Sequence, residues 1–238
     1  NDEKISPKGR NTLSYMKDCT ASLNDLLSSL LDISRLDAGI VEPNFNHIEV
    51  SQLIKRIANN LRKQAEEKGL ELRVHTQILW VNSDSVLLEN TIRNLLTNAI
   101  KYTNEGSILI DCRSKESAVW IEIWDTGIGI SETELNNIFD EFYQVSNAER
   151  DRKQGLGLGL SIVKREMDIL GHTFSLQSRE NKGTMIRIKL RRETPKKIIK
   201  APEVETLSDK LISKKVLIID DEESILIATK SLVANWKC

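Results

Sequence analysis

Between residues 12 and 37, Met16, Leu23, Leu27 and Leu30 fall seven, four and three positions apart, and Leu26 and Ile33 widen the same stripe. This is the period of an amphipathic helix, ended by Gly39. Pro43 breaks the chain just after it, so the apolar face is expected to meet a partner helix in a bundle or a dimer. A second helix is expected over 51–67, where Leu53, Ile54, Ile57, Ala58 and Leu61 share a face, and it stops at Lys68-Gly69. Two short extended pieces follow, LELRVHT at 70–76 and LWV at 79–81. A third helix over 84–102 opens on a cap at Ser83 or Asp84.

Beyond Asn104-Glu105-Gly106 the period changes from helical to alternating. SILIDCRS and AVWIEIWD read as two strands joined by a turn at 115–117, and a short helix is expected over 132–139. A polar stretch, QVSNAERDRKQ, then leads through QGLGLGLS into a helix that ends at Leu170, followed by strands TFSLQS and TMIRIKL. This order predicts an α+β sandwich, one mixed sheet with helices on one face. From about Arg191 the chain turns rich in Lys, Glu, Pro and Ser, as linkers do, with Pro195 and Pro202 in it. KVLIIDDEESILIATKSLVANW then reads as a strand, an acidic tip and a helix, too little to bury a core alone. The expected divisions are a helical segment at 1–42, the sandwich at 43–192, a linker at 193–213 and a further strand and helix at 214–238.

Composition narrows the partners. With 34 Lys+Arg against 35 Asp+Glu there is no basic excess to argue for nucleic acid, although a small anion needs only local charge. The 3 cysteines, Cys19, Cys112 and Cys238, are odd in number and widely spaced, which fits neither a disulfide framework nor a zinc site and points to a reducing compartment. No apolar run is long enough to span a bilayer, and NDEKISPKGR lacks the apolar stretch of a signal peptide. A soluble, cytoplasmic chain without membrane contact is expected.

Three stretches carry candidate chemistry. On the third helix, NTIRNLLTNAIKYT sets Asn94, Asn98 and Lys101 at i, i+4 and i+7, apart from the apolar side made by Leu88, Ile92, Leu95 and Ala99. Amide oxygens suit a hard cation such as Mg²⁺ and an ammonium can balance phosphate, while a solvated helix face would explain any one of these residues. In WDTGIGIS, Asp125 ends a strand just before Gly127 and Gly129, leaving a carboxylate at an open backbone turn that could accept an exocyclic amine; an ordinary turn has the same letters. In QGLGLGLS, Gly155, Gly157 and Gly159 precede a helix, where exposed N–H groups and the helix dipole attract phosphate oxygens. The spacing is neither that of a dinucleotide fingerprint nor that of a P-loop. The preceding polar loop, with Arg150, Arg152 and Lys153, reads as a lid, and a flexible hinge is the plainer alternative.

Together the three resemble the ATP-binding catalytic domain of sensor histidine kinases, in the wider group that includes gyrase B, Hsp90 and MutL. The motifs stand in family order: NLLTNAIKYT, DTGIGI, FDEFYQ at 139–144, GLGLGL and NKGTMIRIKL. The resemblance covers about residues 50–192. LLDISRLDAG is similar to the second helix of the dimerisation and phosphotransfer hairpin, and VLIIDDEESIL to the first strand and helix of a receiver domain, which implies a hybrid kinase. The resemblance implies the two-layer sandwich of that ATPase group, preceded by a dimerisation helix and followed by a truncated receiver fragment. It makes Asn98 a Mg²⁺ ligand with Asn94 nearby, sets Lys101 and Tyr102 against phosphate and ribose, and gives Asp125 the adenine amine. Gly127 and Gly129 would line the adenine pocket, and Thr184 would close its floor. Gly155, Leu156, Gly157, Leu158 and Gly159, with Arg150 and Arg152, would hold the phosphates and the lid, and Asp220 and Asp221 would be the receiver's acidic pair.

In this family the acceptor is a histidine on the first hairpin helix, followed by an acidic residue. The 3 histidines fit poorly: His47 precedes Ile in a break, His75 precedes Thr in a strand, and His172 precedes Thr after a Gly. The expectation is therefore a kinase's site for ATP and Mg²⁺ without its phosphoacceptor, homodimeric through the first helix in the parent protein, with a receiver domain or response regulator as partner. A nucleotide-binding docking module is the alternative from another class. An ATPase of the gyrase type is disfavoured because Asn94 stands where that group has a glutamate base.

Overall fold

The computed structural model describes residues 7–144 and 156–194, together with a few isolated positions between 217 and 233. Contacts divide the chain into two compact units, Asn1–Pro195 and Lys196–Cys238. The first holds helix α1 (Pro7–Asp37), strand β1 (Asn46–Glu49), α2 (Val50–Glu67), β2 (Glu71–Thr76), β3 (Trp80–Ser83), α3 (Ser85–Tyr102), β4 (Ser107–Lys115), β5 (Ala118–Asp125), α4 (Gly159–Leu170), β6 (Thr173–Arg179) and β7 (Gly183–Glu193). In the second unit Leu217 and Ile219 are exposed and positions 226, 229, 230 and 233 are helical. The expected linker, the expected receiver strand and Asp220 and Asp221 lie outside the described residues, apart from these positions and Glu193-Thr194.

The strands form one 7-stranded sheet in the order β1-β3-β7-β5-β4-β2, with β6 also on β7. β2 runs parallel to β4, and the other pairs are antiparallel, so the sheet is mixed as expected. Alternation decides its faces. Ile108, Ile110 and Cys112 on β4, Val119, Ile121 and Ile123 on β5, and Ile186, Ile188 and Leu190 on β7 all point inward and are buried. Their cover comes from α2, α3 and α4, through residues such as Ile54, Ile57, Leu88, Ile92, Leu96, Val163 and Met167. Cys112 belongs to this core: burial, with Asp111 adding to it, pushes its thiol up to about 12, so it acts as a small apolar group.

The opposite face is mixed, with Leu109, Trp120, Trp124 and Met185 among its charged residues, and it holds one exception to the usual exposure of charge. Glu122 is only 1% exposed, because Arg113 from β4 and Arg187 from β7 close over its carboxylate at 2.7 and 2.5 Å. Two guanidiniums on one buried carboxylate supply the pairing that such burial requires.

Four expectations change in the structure. α1 already covers residues 7–11, ahead of the expected start at 12. Residues 46–49, read as a break that held His47, form β1, which pairs with β3. The expected helix over 132–139 is a chain of separate turns, in which Glu134 N–H reaches the Ser131 carbonyl, Asn137 N–H the Glu134 carbonyl and Asp140 N–H the Asn137 carbonyl. Adjacent Asn136 and Asn137 are weak helix formers, and the Ser131 hydroxyl bonds the Glu134 carboxylate locally instead. β7 continues to Glu193, three residues past the expected end, because Arg192 and Glu193 pair with Val81 and Trp80 of β3. That pairing, not burial, holds the charged end of the strand.

Candidate functional site

α3 sets the geometry. Asp84 caps it, its carboxylate accepting from Val86 N–H at 2.8 Å and Leu87 N–H at 3.0 Å, which settles the choice between Ser83 and Asp84. The side chain of Lys68, from the end of α2, donates to the carbonyls of Ile100 and Lys101 at the other terminus of α3. With both ends fixed, the apolar stripe of α3 faces the core while Asn98 and Tyr102 face a cavity between α3, the turns after β5, and strands β5, β6 and β7.

Asn98, Tyr102, Asp125, Gly129 and Thr184 line this cavity together. Its walls are apolar: Leu95 and Ala99 from α3, Ile123 from β5, Ile128 and Ile130 from the turn, Leu160 from α4, Leu176 from β6 and Ile186 from β7. Ile138 and Tyr143, from the irregular segment after the turn, close the remaining side. A largely apolar cleft with a few convergent polar groups is what a small-molecule site requires.

Asp125, at the end of β5, is partly buried. Its Oδ1 accepts from Gly127 N–H at 2.9 Å and from Thr184 N–H at 3.2 Å, and its Oδ2 has no partner among the described residues. Burial raises the carboxyl above its ordinary range, and the two backbone donors pull it back down. Gly127 is required by contact: a Cβ there would stand 2.4 Å from the Tyr102 carbonyl and 2.9 Å from Asp125 Oδ1. This glycine supports the carboxylate and does not itself line the cavity.

At the mouth, Lys101 Nζ donates to the Tyr102 hydroxyl at 2.8 Å and lies 4.4 Å from its ring centroid. Burial lowers the Lys101 ammonium to about 8 and raises the Tyr102 hydroxyl. Nearby, a Cβ on Gly159 would lie 3.5 Å from Asn98 Nδ2 and 3.7 Å from Asn94 Oδ1. The start of α4 thus rests directly on the two amides. Among the described residues the N-terminus of α4 has no side-chain cap, which leaves its first N–H groups without a side-chain acceptor there.

Gly157 has φ +72, and a Cβ there would approach the Tyr143 carbonyl to 2.7 Å, a position only glycine fills without strain. Its carbonyl accepts from Phe142 N–H at 3.1 Å, joining the two ends of the intervening loop. Leu158 and partly buried Leu156 turn the other way, onto Ile33 and Leu36 of α1 and Ile162 of α4. Arg150, Arg152 and Gly155 lie outside the described residues. Asn94, Lys101 and Gly127 stand beside the cavity but not on its wall.

Sequence reasoning missed Ser178, Leu176 and Tyr143. The alternation in TFSLQS placed Leu176 and Ser178 on the inner face together, but nothing in it pointed to a cavity. The histidines lie elsewhere: His47 in β1, His75 in β2, and His172 with Nε2 2.9 Å from Ser83 Oγ.

Residues 83–194 match the family described as histidine kinase-, DNA gyrase B- and HSP90-like ATPase. They form an ATPase domain of that family. Every residue that lines the cavity falls within this stretch. Similarity extends further: the chain is 32% identical over 226 residues to the autoinducer 2 sensor kinase/phosphatase LuxQ of Vibrio cholerae, covering 90% of this chain and 26% of that protein. It is 33% identical over 184 residues to the sensor protein SrrB of Staphylococcus aureus, covering 76% of this chain and 31% of that protein. This chain therefore has sensor kinases as homologues, and it spans between a quarter and a third of their length. The fold is shared with full-length ShkA, solved in complex with AMPPNP, at TM-score 0.69 and 21% identity over 99% of this chain and 48% of that one. It is also shared with the histidine kinase AdeS of Acinetobacter baumannii, at TM-score 0.65 and 18% identity over 81% of this chain and 89% of that one.

Proposed function

We propose that this chain is the catalytic ATP-binding portion of a cytoplasmic sensor histidine kinase of the hybrid type. It transfers the γ-phosphoryl group of Mg-ATP to a histidine other than its own three, in two-component signalling. The observation that carries the reading is Asp125: one carboxylate oxygen is saturated by two backbone N–H groups and the other faces an apolar cavity of nucleobase character. That free oxygen is the acceptor for the adenine amine. Asn98 and Asn94, set against the N-terminus of α4, are the groups for the metal and the phosphates.

The donor set supports this assignment. Among the described residues no cluster of His, Cys, Asp or Glu could hold a metal ion. A divalent cation here depends on amide oxygen and on the phosphates themselves, which is the habit of Mg²⁺, and Mg²⁺ supplies charge neutralisation to the departing phosphates. Lys101, lowered by burial to about 8 and still mostly an ammonium at pH 7, adds positive charge beside them. None of the three histidines stands on a helix beside an acidic residue, which supports an acceptor outside the chain. The exposed stripe of Met16, Leu23, Leu27 and Leu30 on α1 supports a parent that dimerises through this helix, and the residues after Lys214 support a receiver as partner.

Calorimetry with ATP and Mg²⁺ tests the reading. Asp125→Asn is expected to weaken binding by about ten- to a hundredfold, the worth of a charge-assisted hydrogen bond in a buried site. Asn98→Ala is expected to remove the dependence on Mg²⁺ more than the affinity for metal-free nucleotide. Phosphotransfer to a separately supplied hairpin that carries its histidine distinguishes a kinase from a docking module. An unaltered isotherm for Asp125→Asn rejects the site.

A further inference from the structure

The face of the sheet turned away from the helices, and so away from the cavity, is organised around Trp120 of β5. The register sets Arg113 of β4 and Lys189 of β7 directly beside it, with Asp111, Lys115, Arg187 and Arg191 on the diagonals. Glu122 stands two positions along β5 on the same face. Five cations and two carboxylates therefore surround one indole. Both carboxylates are taken: Glu122 is held by Arg113 and Arg187, and Asp111 lies 3.6 Å from Arg113. Lys115, Lys189 and Arg191 are exposed and have no ion-pair partner among the described residues. Like charges gathered on neighbouring strands repel one another, and an arriving anion relieves that repulsion.

Farther along β5 the surface changes character. Trp124 is 42% exposed, and its direct neighbours across the strands are Leu109 of β4 and Met185 of β7. Trp120 and Trp124 are four residues apart, about 13 Å on an extended strand. The face thus offers an anion-attracting end and an apolar end that one bound segment reaches together. What covers Trp120 limits the occupant. Lys115 Nζ lies 4.6 Å and Arg187 Cζ 4.2 Å from its ring centroid, so cations already sit where a nucleobase would stack. Carboxylates on separate side chains reach Lys115, Lys189 and Arg191 without displacing those contacts.

We infer that this outer face of the sheet is a docking surface for an acidic segment of a partner protein, whose carboxylates meet Lys115, Lys189 and Arg191 and whose apolar side chain covers Trp124. Aromatic and Arg anchors carry much of the energy of such contacts, and an excess of one charge speeds and orients the encounter. The inference does not rest on the nucleotide reading of the cavity, which lies on the other side of the sheet.

The test follows the indole N–H signals of Trp120 and Trp124 in the full chain by nuclear magnetic resonance as probes are added in turn. These are a short capped peptide of Glu interspersed with Leu, the same peptide with Lys in place of Glu, and an oligothymidylate of equal length. The Glu-Leu peptide is expected to shift both signals and to weaken as salt is added. Paired charge reversal, Lys189→Glu with Arg191→Glu, is expected to weaken it about tenfold or more at an unchanged urea midpoint, since both positions are exposed. Trp124→Ala is expected to weaken it about tenfold and to leave its salt dependence in place. If the reversed variant is unstable, Lys189→Gln with Arg191→Gln serves, with a smaller loss in the same direction. Absence of a shift at both indoles overturns the inference, as does equal binding of the Lys-Leu peptide or an unmoved affinity in the charge-reversed variant. Tighter binding of the oligothymidylate than of the Glu-Leu peptide overturns it in favour of nucleic acid.

Discussion

α1 and α3 are both amphipathic helices with leucines and isoleucines at helical spacing, yet they end in opposite situations. On α3, Leu88, Ile92, Leu95, Leu96 and Ile100 are all within 1% of complete burial. On α1, Met16, Leu23, Leu27 and Leu31 are each at least half exposed, and among its described side chains only Ile33 and Leu36, at its C-terminal end, are buried. Periodicity states that a helix has an apolar face and is silent on what covers it. α3 is covered by the sheet, α2 and α4, whereas among the described residues the cover of α1 comes from α4 and the residues around Leu158. The buried helix carries the stability of the domain. The exposed one is free to carry association, and its last turn joins the two.

The sharpest way to break this contrast is to truncate one residue on each helix. Ile92→Ala is expected to destabilise the domain by roughly 2 to 5 kcal/mol, the range for a fully buried isoleucine whose cavity cannot collapse. Leu27→Ala is expected to move the urea midpoint by under about 0.5 kcal/mol, as exposed positions do, and to lower self-association in sedimentation velocity instead. A large midpoint shift for Leu27→Ala in dilute protein would show that α1 is covered from within the chain.

The same contrast marks how far the sequence could be read. The three helices of the sandwich, the turn at 115–117 and most strands were legible because each has a clear period between glycine or polar breaks. Among the cavity's polar groups, Asn98 and Asp125 were suggested by short motifs that plainer readings also fit, and the family resemblance singled them out together with Thr184. What pattern could not reveal is pairing across distance. LELRVHT and LWV look like neighbours, yet β2 and β3 lie far apart in the sheet, β2 at an edge beside β4 and β3 between β1 and β7. Glu122 reads as an outward, solvated residue of IEIWD, and only the arrival of Arg113 and Arg187 buries it. Ser178 reads as a small strand residue, and three partners on two other segments hold its hydroxyl. β1 was hidden because four residues after a proline carry too little pattern to distinguish a short strand from a break.

A second contrast lies on α4, whose buried face holds a carboxylic acid. Glu166 is 2% exposed and accepts the Thr91 hydroxyl at 2.7 Å. Burial pushes its carboxyl up to about 7; the bonds from Thr91 and Asn90 oppose the rise, and Asp32 of α1 adds to it. The sign follows from proton counts. Between the ordinary value of 4.5 and about 7 the folded chain keeps a proton that the unfolded chain has released. Stability therefore falls as pH rises through that window and is level on either side, as far as this group determines it. The loss amounts to roughly 3 kcal/mol at about 1.4 kcal/mol per pH unit. Glu166→Gln keeps the shape and the Thr91 bond without the charge. It is expected to flatten this part of the profile and to be the more stable protein above pH 7 in urea titrations. Equal slopes for the two proteins would place the Glu166 titration outside this window.

The smallest effect is expected where α1 meets the rest. Arg165 of α4 reaches Asp37, the last residue of α1, with Nε at 2.6 Å from Oδ1 and Nη2 at 3.1 Å from Oδ2, and the same Nη2 lies 2.6 Å from Glu141 Oε1. The hydrogen bond from Arg165 holds the Asp37 carboxyl below its usual range, so this contribution is present near neutral pH and is lost as pH falls through that lowered value. The two carboxylates are exposed and Arg165 is partly so, and exposed ion pairs add little to global stability. Their geometry matters more than their strength. Glu141 immediately precedes Phe142, whose N–H holds the Gly157 carbonyl, so one guanidinium ties the end of α1 to the closed base of the loop beside the cavity. Arg165→Ala is accordingly expected to leave the urea midpoint almost unchanged while speeding amide exchange in the last turn of α1 and at Phe142. Added salt should do the same to wild type, because exposed charge pairs are screened. Faster exchange spread through α3 instead would mean that Arg165 supports the core and not the junction.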